Sequence, residues 1–438
     1  MHLAIIAPPT PGHLNPLGAL AVELDRLGHR ATFVHLSDVD RSSPVVAGRF
    51  EALPAAVAPP GTLGDYLAIL GRADGWWGRR RMIAATADVT ARLLAGLPGV
   101  LERIGAEAVV ADSAEPAGGL VARHLRLPFV TTVTGLPLLR DAGVPPPFVG
   151  WPYRAGWLGR ARNAGGYAVA DRLLRPITRT VAGQADRWRL KPDGGEGFSP
   201  LLQVAQCPQA LDFPRDDLPA CFRYGAPWRL PEPAVDLPDD GRPLIFCSLG
   251  TLQGARRSLF AIMTAACAAV GARAVVAHGG GLSAEEAAAL PGEPLVRDFW
   301  PQRAVLRRCA AAVLHGGFNT VLDALAAGVP IVALPIAFEQ PATAARLVRS
   351  GAGETVRLAK AEGALAPALR RVLTQAGYRA AAGQLAATMA TDGAARAATL
   401  IDRSLRDEPG PGERAAAATT ASPGSDDAHG GSRRNGSR

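Results

Sequence analysis

Cysteine is scarce in this chain of 438 residues: five positions, Cys207, Cys221, Cys247, Cys267 and Cys309, odd in number and never in a CxxC pair. Such a set builds neither a disulfide framework nor a zinc site, and it suits a reducing compartment. No apolar window reaches about 18 residues, so no transmembrane helix is expected. The start MHLAIIAP has no basic n-region and no cleavage site, and the expectation is a cytoplasmic protein without a secretory signal. Lysine is almost absent, at Lys191 and Lys360 alone, so arginine carries the net charge of +8. No helix-turn-helix, RNP or zinc-finger pattern accompanies that charge, and nucleic acid is set aside as a partner. No GxGxxG follows the first apolar run and no ribose-binding acid follows the second, which disfavours a dinucleotide oxidoreductase. The acidic LPDDG lies in a proline-rich stretch and reads as solvating charge.

The chain is 48% apolar and 20% charged, as in a globular protein with a sizeable core. MHLAIIAP reads as a buried strand and NPLGALAVELDRLGH as a helix. Asn15 would cap that helix, with Pro16 at its first position and Gly28 just past its end. RATFVHL follows as a second strand, so the chain opens with a βαβ unit and a parallel sheet. AEAVVAD and LPFVTTV continue the alternation, with a helix over 116–125 between them. GAPWRLPEPAVDLPDDGRP, with five prolines and four acidic residues, reads as a linker. The alternation then restarts with PLIFCSLG, SLFAIMTAACAAVG, ARAVVAHGG, AAAVLHGG, NTVLDALAAG and VPIVALP. The fold class is therefore α/β: two Rossmann-like, doubly wound parallel-sheet domains facing a cleft. The boundaries are 1–225, a linker at 226–243, 244–385, a C-terminal helix at 386–405 closing a helical pattern from 378, and a disordered tail at 406–438.

Open parallel sheets bind ligands outside the carboxyl ends of their strands. His13 follows the first strand and Asp112 ends the AEAVV strand. If those strands are neighbours, the carboxylate holds the imidazole and makes it a general base. Otherwise His13 is a polar loop residue and Asp112 caps the next helix. At the strand end LHGG, His315, Gly316 and Gly317 precede a helix opening near Asn319 or Thr320. Close backbone approach and a helix N-terminus make an anion cradle without a P-loop lysine; a plain tight turn is the other reading. Ser248 and Thr251 in CSLGT either donate to the same anion or form a hydroxyl cap. Glu339 and Gln340 in FEQ either hold several hydroxyls or sit in a solvated loop.

Taken together, PPTPGHLNP, the SLGT turn, and the run from DFWPQ through HGGFNTVLDALAAGVPIVALPIAFEQP resemble the family 1 glycosyltransferases. The resemblance implies a GT-B fold and transfer from a nucleotide-activated sugar. It looks most like the bacterial carotenoid-pathway members, with macrolide or polyketide and flavonoid enzymes as the alternatives. It implies that His13 deprotonates an acceptor hydroxyl while Asp112 orients it. His315 and the backbone at Gly316, Gly317, Asn319 and Thr320 would hold a diphosphate, with Ser248 and Thr251 beside it. Phe299 stands where relatives have a base-stacking tryptophan, and either it or Trp300 would stack on the base. Gln302 would serve ribose and base, Asp323 the ribose hydroxyls, and Glu339 and Gln340 the sugar. The implied reaction inverts the anomeric centre and needs no metal and no permanently bound cofactor. UDP-glucose or another UDP-hexose would be the donor, and a lipophilic hydroxyl compound such as a hydroxycarotenoid the acceptor. A non-catalytic nucleotide-sugar binder is the competing class.

Residues 140–196 carry ten basic against five acidic side chains, whereas 406–438 balance at five each. DGWWGRRRM and FVGWPYRAGWLGRAR set tryptophan beside arginine. That pairing suits peripheral contact with an anionic membrane or an amphiphilic acceptor; alternatively the rings line a core and the arginines face water. Nothing in the sequence signals an oligomeric state.

Overall fold

Each short apolar run of the first half becomes a strand buried on both faces, and each amphipathic run after it covers the sheet. In the computed structural model, residues 1–37, 39, 46, 48–73, 75–191, 197–389 and 391–407 are described. The elements of the first half are β1 (His2–Ile6), α1 (Pro11–Arg26), β2 (Arg30–His35), β3 (Phe50–Ala52), α2 (Thr62–Gly71) and α3 (Gly75–Arg103). They continue with β4 (Ala108–Asp112), α4 (Ala117–Leu125), β5 (Phe129–Val133), α5 (Trp157–Arg187), β6 (Gln203–Ala205) and β7 (Phe222–Arg223). The second half holds β8 (Leu244–Ser248), α6 (Arg257–Ala268), β9 (Arg273–Ala277), α7 (Ala284–Ala288), β10 (Leu295–Arg297) and α8 (Gln302–Leu306). Then come β11 (Ala311–Leu314), α9 (Phe318–Ala326), β12 (Ile331–Ala333), α10 (Gln340–Arg349), β13 (Gly353–Thr355), α11 (Ala361–Thr374), α12 (Ala376–Thr388) and α13 (Gly393–Arg406).

Every described strand pair is parallel. The first sheet runs β3-β2-β1-β4-β5-β6-β7 and the second β10-β9-β8-β11-β12-β13. In both, the chain reverses its direction of travel across the sheet beside the first strand, between β1 and β4 and between β8 and β11. The carboxyl ends at such a switch point are where an open sheet leaves a crevice. This is the two-sheet α/β architecture that the family resemblance implies.

The halves are joined by more than a tether. One apolar cluster contains Val133, Leu136, Ala205 and Leu211 from the first half with Leu314, Val321 and Leu347 from the second. Beside it Asp212 receives Arg346 Nε on Oδ1 and Arg215 Nε on Oδ2, both at 2.7 Å. All three side chains are at most 1% exposed. Burial alone would raise the Asp212 carboxyl; the guanidinium charges of Arg346 and Arg215 outweigh it and hold the group below its ordinary range. Arg346 also lies 4.2 Å over the Phe213 ring. Residues 224–243 contain no helix or strand, and Trp228 within them is fully buried in the first-half core. α13 returns to that half too. It packs on α1 and buries Ala397, Ala398, Ile401 and Leu405 there, while His29 Nε2 meets Asp402 Oδ1 at 2.8 Å.

Several expectations change. α1 starts at Pro11 with Thr10 as its N-cap, so Asn15 does not cap it and Pro16 lies inside it. The helical pattern over 378–405 is two helices, α12 and α13, so the expected helix at 386–405 begins only at Gly393. Asp392–Gly393 supplies the break, a strong turn dipeptide. Trp76, Trp77 and Trp157 do not line the core; they are 48%, 73% and 75% exposed. The expected tail lies outside the described residues beyond Asp407. No helix among the described residues is long and apolar enough to cross a membrane.

Removing Arg346 leaves a buried carboxylate with one guanidinium and empties the space over Phe213. Arg346→Ala is expected to lower the unfolding free energy by about 3 kcal/mol, read from urea denaturation. A change near zero would show that this buried cluster does not hold the halves together.

Candidate active site

The sheet order places β1 beside β4, with Ile6 level with Ala111. His13, in the first turn of α1, therefore meets Asp112 at the end of β4. His13 Nδ1 donates to Asp112 Oδ1 at 3.2 Å and lies 2.7 Å from Thr134 Oγ1. Thr134 itself donates to Asp112 Oδ2 at 2.6 Å, and the Ala114 amide donates to Oδ1 at 3.0 Å. The Asp112 side chain is fully buried and His13 a quarter exposed. An acceptor at Nδ1 puts the ring proton there and leaves Nε2 with its lone pair for chemistry. Burial would push the imidazole pKa down; the charge and hydrogen bond of Asp112 oppose it, with Glu339 and Glu115 adding, and the net direction is up. Asp112 thus orients His13 rather than capping the following helix, whose N-cap is Pro116.

Glu115 was invisible as a functional candidate in the sequence. It is buried, accepts from Thr90 Oγ1 and the Ala117 amide at 3.2 Å each, and is pushed up to about 7 by that burial.

Across the cleft stand the carboxyl ends of β8 and β11, with Ser248 level with Leu314. His315 is buried between two loops: a Cβ on Gly250 would sit 2.8 Å from its ring, and one on Gly317 would overlap it. Only glycine at both positions lets the ring fit. Burial drives His315 down to about 4, so the imidazole is neutral, and among the described residues its Nδ1 has no hydrogen-bond partner. An unsatisfied buried nitrogen is costly unless a ligand completes it. Gly317 is the N-cap of α9, so the first-turn amides from Phe318 through Thr320 have no intrahelical acceptor. They point the positive end of the helix dipole at the same place. Ser248 is buried with its Oγ accepting from the Gly250 amide at 3.2 Å, and Thr251, itself exposed, opens a 3-10 turn. These groups stand together at the strand ends LHGG and CSLGT.

Other expected contacts are arranged differently. Both Asp323 oxygens are engaged, Oδ1 by Arg229 Nε at 2.5 Å and Oδ2 by Gln302 Nε2 at 2.6 Å. The two residues assigned to the ribose are thus bonded to each other. Gln340 is buried and turns its Oε1 to the amides of Ile336 and Ala337 at 2.8 and 2.9 Å, so it shapes the loop, while the Glu339 charge is felt at His13. Phe338 in that loop holds φ at 55°, a left-handed conformation uncommon for an aromatic residue and typical of constrained sites. Trp300 donates Nε1–H to the Val276 carbonyl at 2.9 Å and lies under Arg297 at 4.1 Å. The Phe299 ring is 67% exposed and is the one free to stack.

A polar chain crosses the cleft. Asn319 Nδ2 donates to the Gly12 carbonyl at 2.5 Å, one residue before His13. Gln206 Nε2 donates to Asn319 Oδ1 at 2.8 Å and also to the Thr134 carbonyl. Arg229 Nη1 donates to Gln206 Oε1 at 2.8 Å and Nη2 to the Asn319 carbonyl at 3.2 Å. The Asn319 side chain is therefore a bridge between halves. Thr134 follows β5 and Gln206 follows β6, so the strand-end rule reaches both; Arg229 carries no local signal.

Residues 261–399 match the family described as "Erythromycin biosynthesis protein CIII-like, C-terminal domain". The chain is 37% identical to a zeaxanthin glucosyltransferase of Pseudescherichia vulneris, over 92% of this chain and 98% of that one. The fold resembles the crystal structure of the glycotransferase of kitacinnamycin, with a TM-score of 0.71 at 20% identity, covering 92% and 98% of the two chains. It also resembles the glycosyltransferase VinC in complex with DTDP, with a TM-score of 0.65 at 21% identity, covering 93% and 100%.

Because the Asp112 charge is what opposes burial at His13, Asp112→Asn is expected to move the His13 pKa down. NMR titration of the imidazole Cε1–H reads the shift, and an unmoved or raised value would overturn the assignment.

Proposed function

The chain belongs to the family 1 glycosyltransferases of GT-B fold, and from that premise we propose the reaction: a hexose, glucose in the first instance, passes from a UDP-sugar to a hydroxyl of a lipophilic small molecule of the hydroxycarotenoid kind. The observation that carries this reading is the pair of facing switch points. One presents the free Nε2 of the Asp112-bound His13, and the other the unsatisfied His315 beside the α9 N-terminus. The 37% identity with a zeaxanthin glucosyltransferase supports the sugar and acceptor. The match to an erythromycin-type C-terminal domain supports a macrolide or other polyketide as the second reading of the acceptor.

On this reading residues 1–225 hold the acceptor and 244–385 the donor, with 226–243 between them. The acceptor hydroxyl gives its proton to His13 Nε2 as its oxygen attacks the anomeric carbon. The bond from that carbon to the diphosphate breaks on the opposite face, so an α-linked donor yields a β-glycoside and UDP. Asp112 stabilises the imidazolium, with Thr134 keeping both side chains in place and Glu339 adding negative charge nearby. The charge left on the diphosphate falls to the α9 amides, the Ser248 and Thr251 hydroxyls and His315. Phe299 stacks on the base. Glu339 takes the sugar hydroxyls, and Gln340 supports it by holding the loop. Asp323 and Gln302 act as a pair at the ribose. The protein works from the cytoplasm, peripherally at the inner face of the membrane.

His13→Ala is expected to lower transfer by about 10³-fold while leaving UDP-glucose binding intact, measured by product mass and by calorimetry. Retention of most transfer would remove His13 as the base. The cradle has its own test. A diphosphate against His315 favours the imidazolium, so UDP-glucose binding at about pH 5 should take up a proton. UDP-glucose does not itself titrate there, so the uptake appears as a dependence of binding enthalpy on buffer ionisation. It should vanish in His315→Asn; uptake that persists would place the proton elsewhere.

A further inference from the structure

Aromatic rings left in water have few uses in a folded chain, and the most exposed ones here fall at particular helix starts. Phe299 has a place in the donor site. Trp76 and Trp77, in the first turn of α3, are 48% and 73% exposed. Trp157 and Leu158, the first residues of α5, are 75% and 63% exposed, and Phe148 ahead of them is 45% exposed. None of these is used by the reaction above.

Arginines outnumber carboxylates in the segments that carry them. Arg79, Arg80 and Arg81 follow the Trp pair and are all exposed. The Arg80 guanidinium stands 5.9 Å from the Trp76 ring and 5.7 Å from the Trp77 ring, so cation and indoles form one patch. Among the described residues, no carboxylate pairs with these three arginines. The first carboxylate of α3, Asp88, is further along the helix and accepts from Arg92 at 2.8 Å. Asp65 of α2 is exposed in the first turn of its own helix. Near the start of α5, Asp216 is matched by Arg160 at 2.5 Å, while Arg162 lies over the Trp151 ring at 5.2 Å.

Topology gathers these features on one edge. α3 leads into β4 and α5 into β6, so each helix runs back from the carboxyl edge of the parallel sheet toward its amino edge. Their first turns therefore lie on the edge that carries His13, Asp112 and Thr134, and the two helices pack against each other. Gly71, at the end of α2 and just ahead of the patch, is so near the donor half that a Cβ there would sit 3.4 Å from the Leu252 carbonyl. The patch borders the cleft.

We propose that the first turns of α3 and α5 form a docking surface for an anionic phospholipid bilayer. Indole rings settle at the headgroup level, where an apolar body and a polar N–H are both accommodated. Arginine heads beside them meet phosphate while their stems lie along the apolar region. A second copy of the chain would bring arginine against arginine, whereas an anionic bilayer satisfies rings and charges together. The surface holds the cleft mouth at the level where a lipophilic molecule dissolved in the bilayer emerges.

The test is sedimentation of the whole protein with phosphatidylcholine vesicles, with and without phosphatidylglycerol. The protein should pellet with the mixed vesicles and remain soluble with pure phosphatidylcholine. Arg79→Glu/Arg80→Glu/Arg81→Glu should lower the vesicle partition coefficient by about 100-fold or more, and Trp76→Ser/Trp77→Ser should lower it as well. Both variants should keep the wild-type melting temperature and the wild-type rate with a water-soluble acceptor. That rate separates loss of docking from failure of the transfer reading, because vesicle binding needs no activity. Wild-type protein that stays in the supernatant, or a charge-reversed variant that pellets as well as wild type, would overturn the proposal. So would variants that change only the oligomeric state, since the patch would then be a contact between copies.

Discussion

The carbonyl oxygen of Gly12 ties the two sides of the cleft to each other. In an unbroken α-helix that oxygen would accept from the residue four positions on, but that residue is Pro16, which has no N–H. The oxygen is thus available to the Asn319 amide from the opposite half. Gly12 immediately precedes His13 and Asn319 lies in the first turn of α9, just after His315, so one bond sets the surroundings of the two histidines in register. Gln206 donates to the Asn319 side-chain oxygen and Arg229 to its main-chain carbonyl, and the first of these bonds keeps the amide turned this way. A single such bond contributes only about 1 kcal/mol to stability. Adhesion between the halves comes from the shared apolar cluster and the Asp212 ion network; the bond at Gly12 supplies position.

The two histidines of the site are tuned in opposite directions, each toward its work. His13 is surrounded by carboxylates that together outweigh its burial, so the imidazolium it becomes is stabilised. His315 is buried without a charged neighbour and stays neutral near physiological pH, ready to respond when negative charge arrives. In the reaction proposed above, transfer would move a proton onto the first and an anion against the second, and the field of the folded protein suits the product side of that step. Glu115, with a pKa near 7, adds a carboxyl whose own ionisation changes the field at His13 within the physiological range.

The strand ends were legible because parallel sheets reuse one rule: count the alternation, find the switch point, and look at the residues after each strand. That reasoning placed His13 beside Asp112 and His315 beside Ser248. It missed the start of α1 because Asn15–Pro16 is a good local helix-start signal, and Thr10–Pro11 is another. The helix takes the earlier start, and its Gly12 carbonyl meets Asn319, about 300 residues away in sequence. Arg229 was unreadable because its bond to Asp323 spans 94 residues. The resemblance supplied roles for Asp323, Gln302 and Gln340, but the fold engages these side chains with one another and with the protein backbone. WWGRRR had two readings until a helix placed the rings, because the run itself does not mark which face looks inward.

α13 bears on how the protein is made. The buried stripe of α1, from Leu14 through Leu24, is closed partly by Ala397, Ala398, Ile401 and Leu405. A ribosome delivers the first helix early and its covering helix only after both sheets have been synthesised. Until then the nascent first half carries an open apolar seam, and at 5–20 residues per second it does so for tens of seconds. Synthesis therefore passes through a stage in which that seam is uncovered, and slow translation of the second half prolongs it.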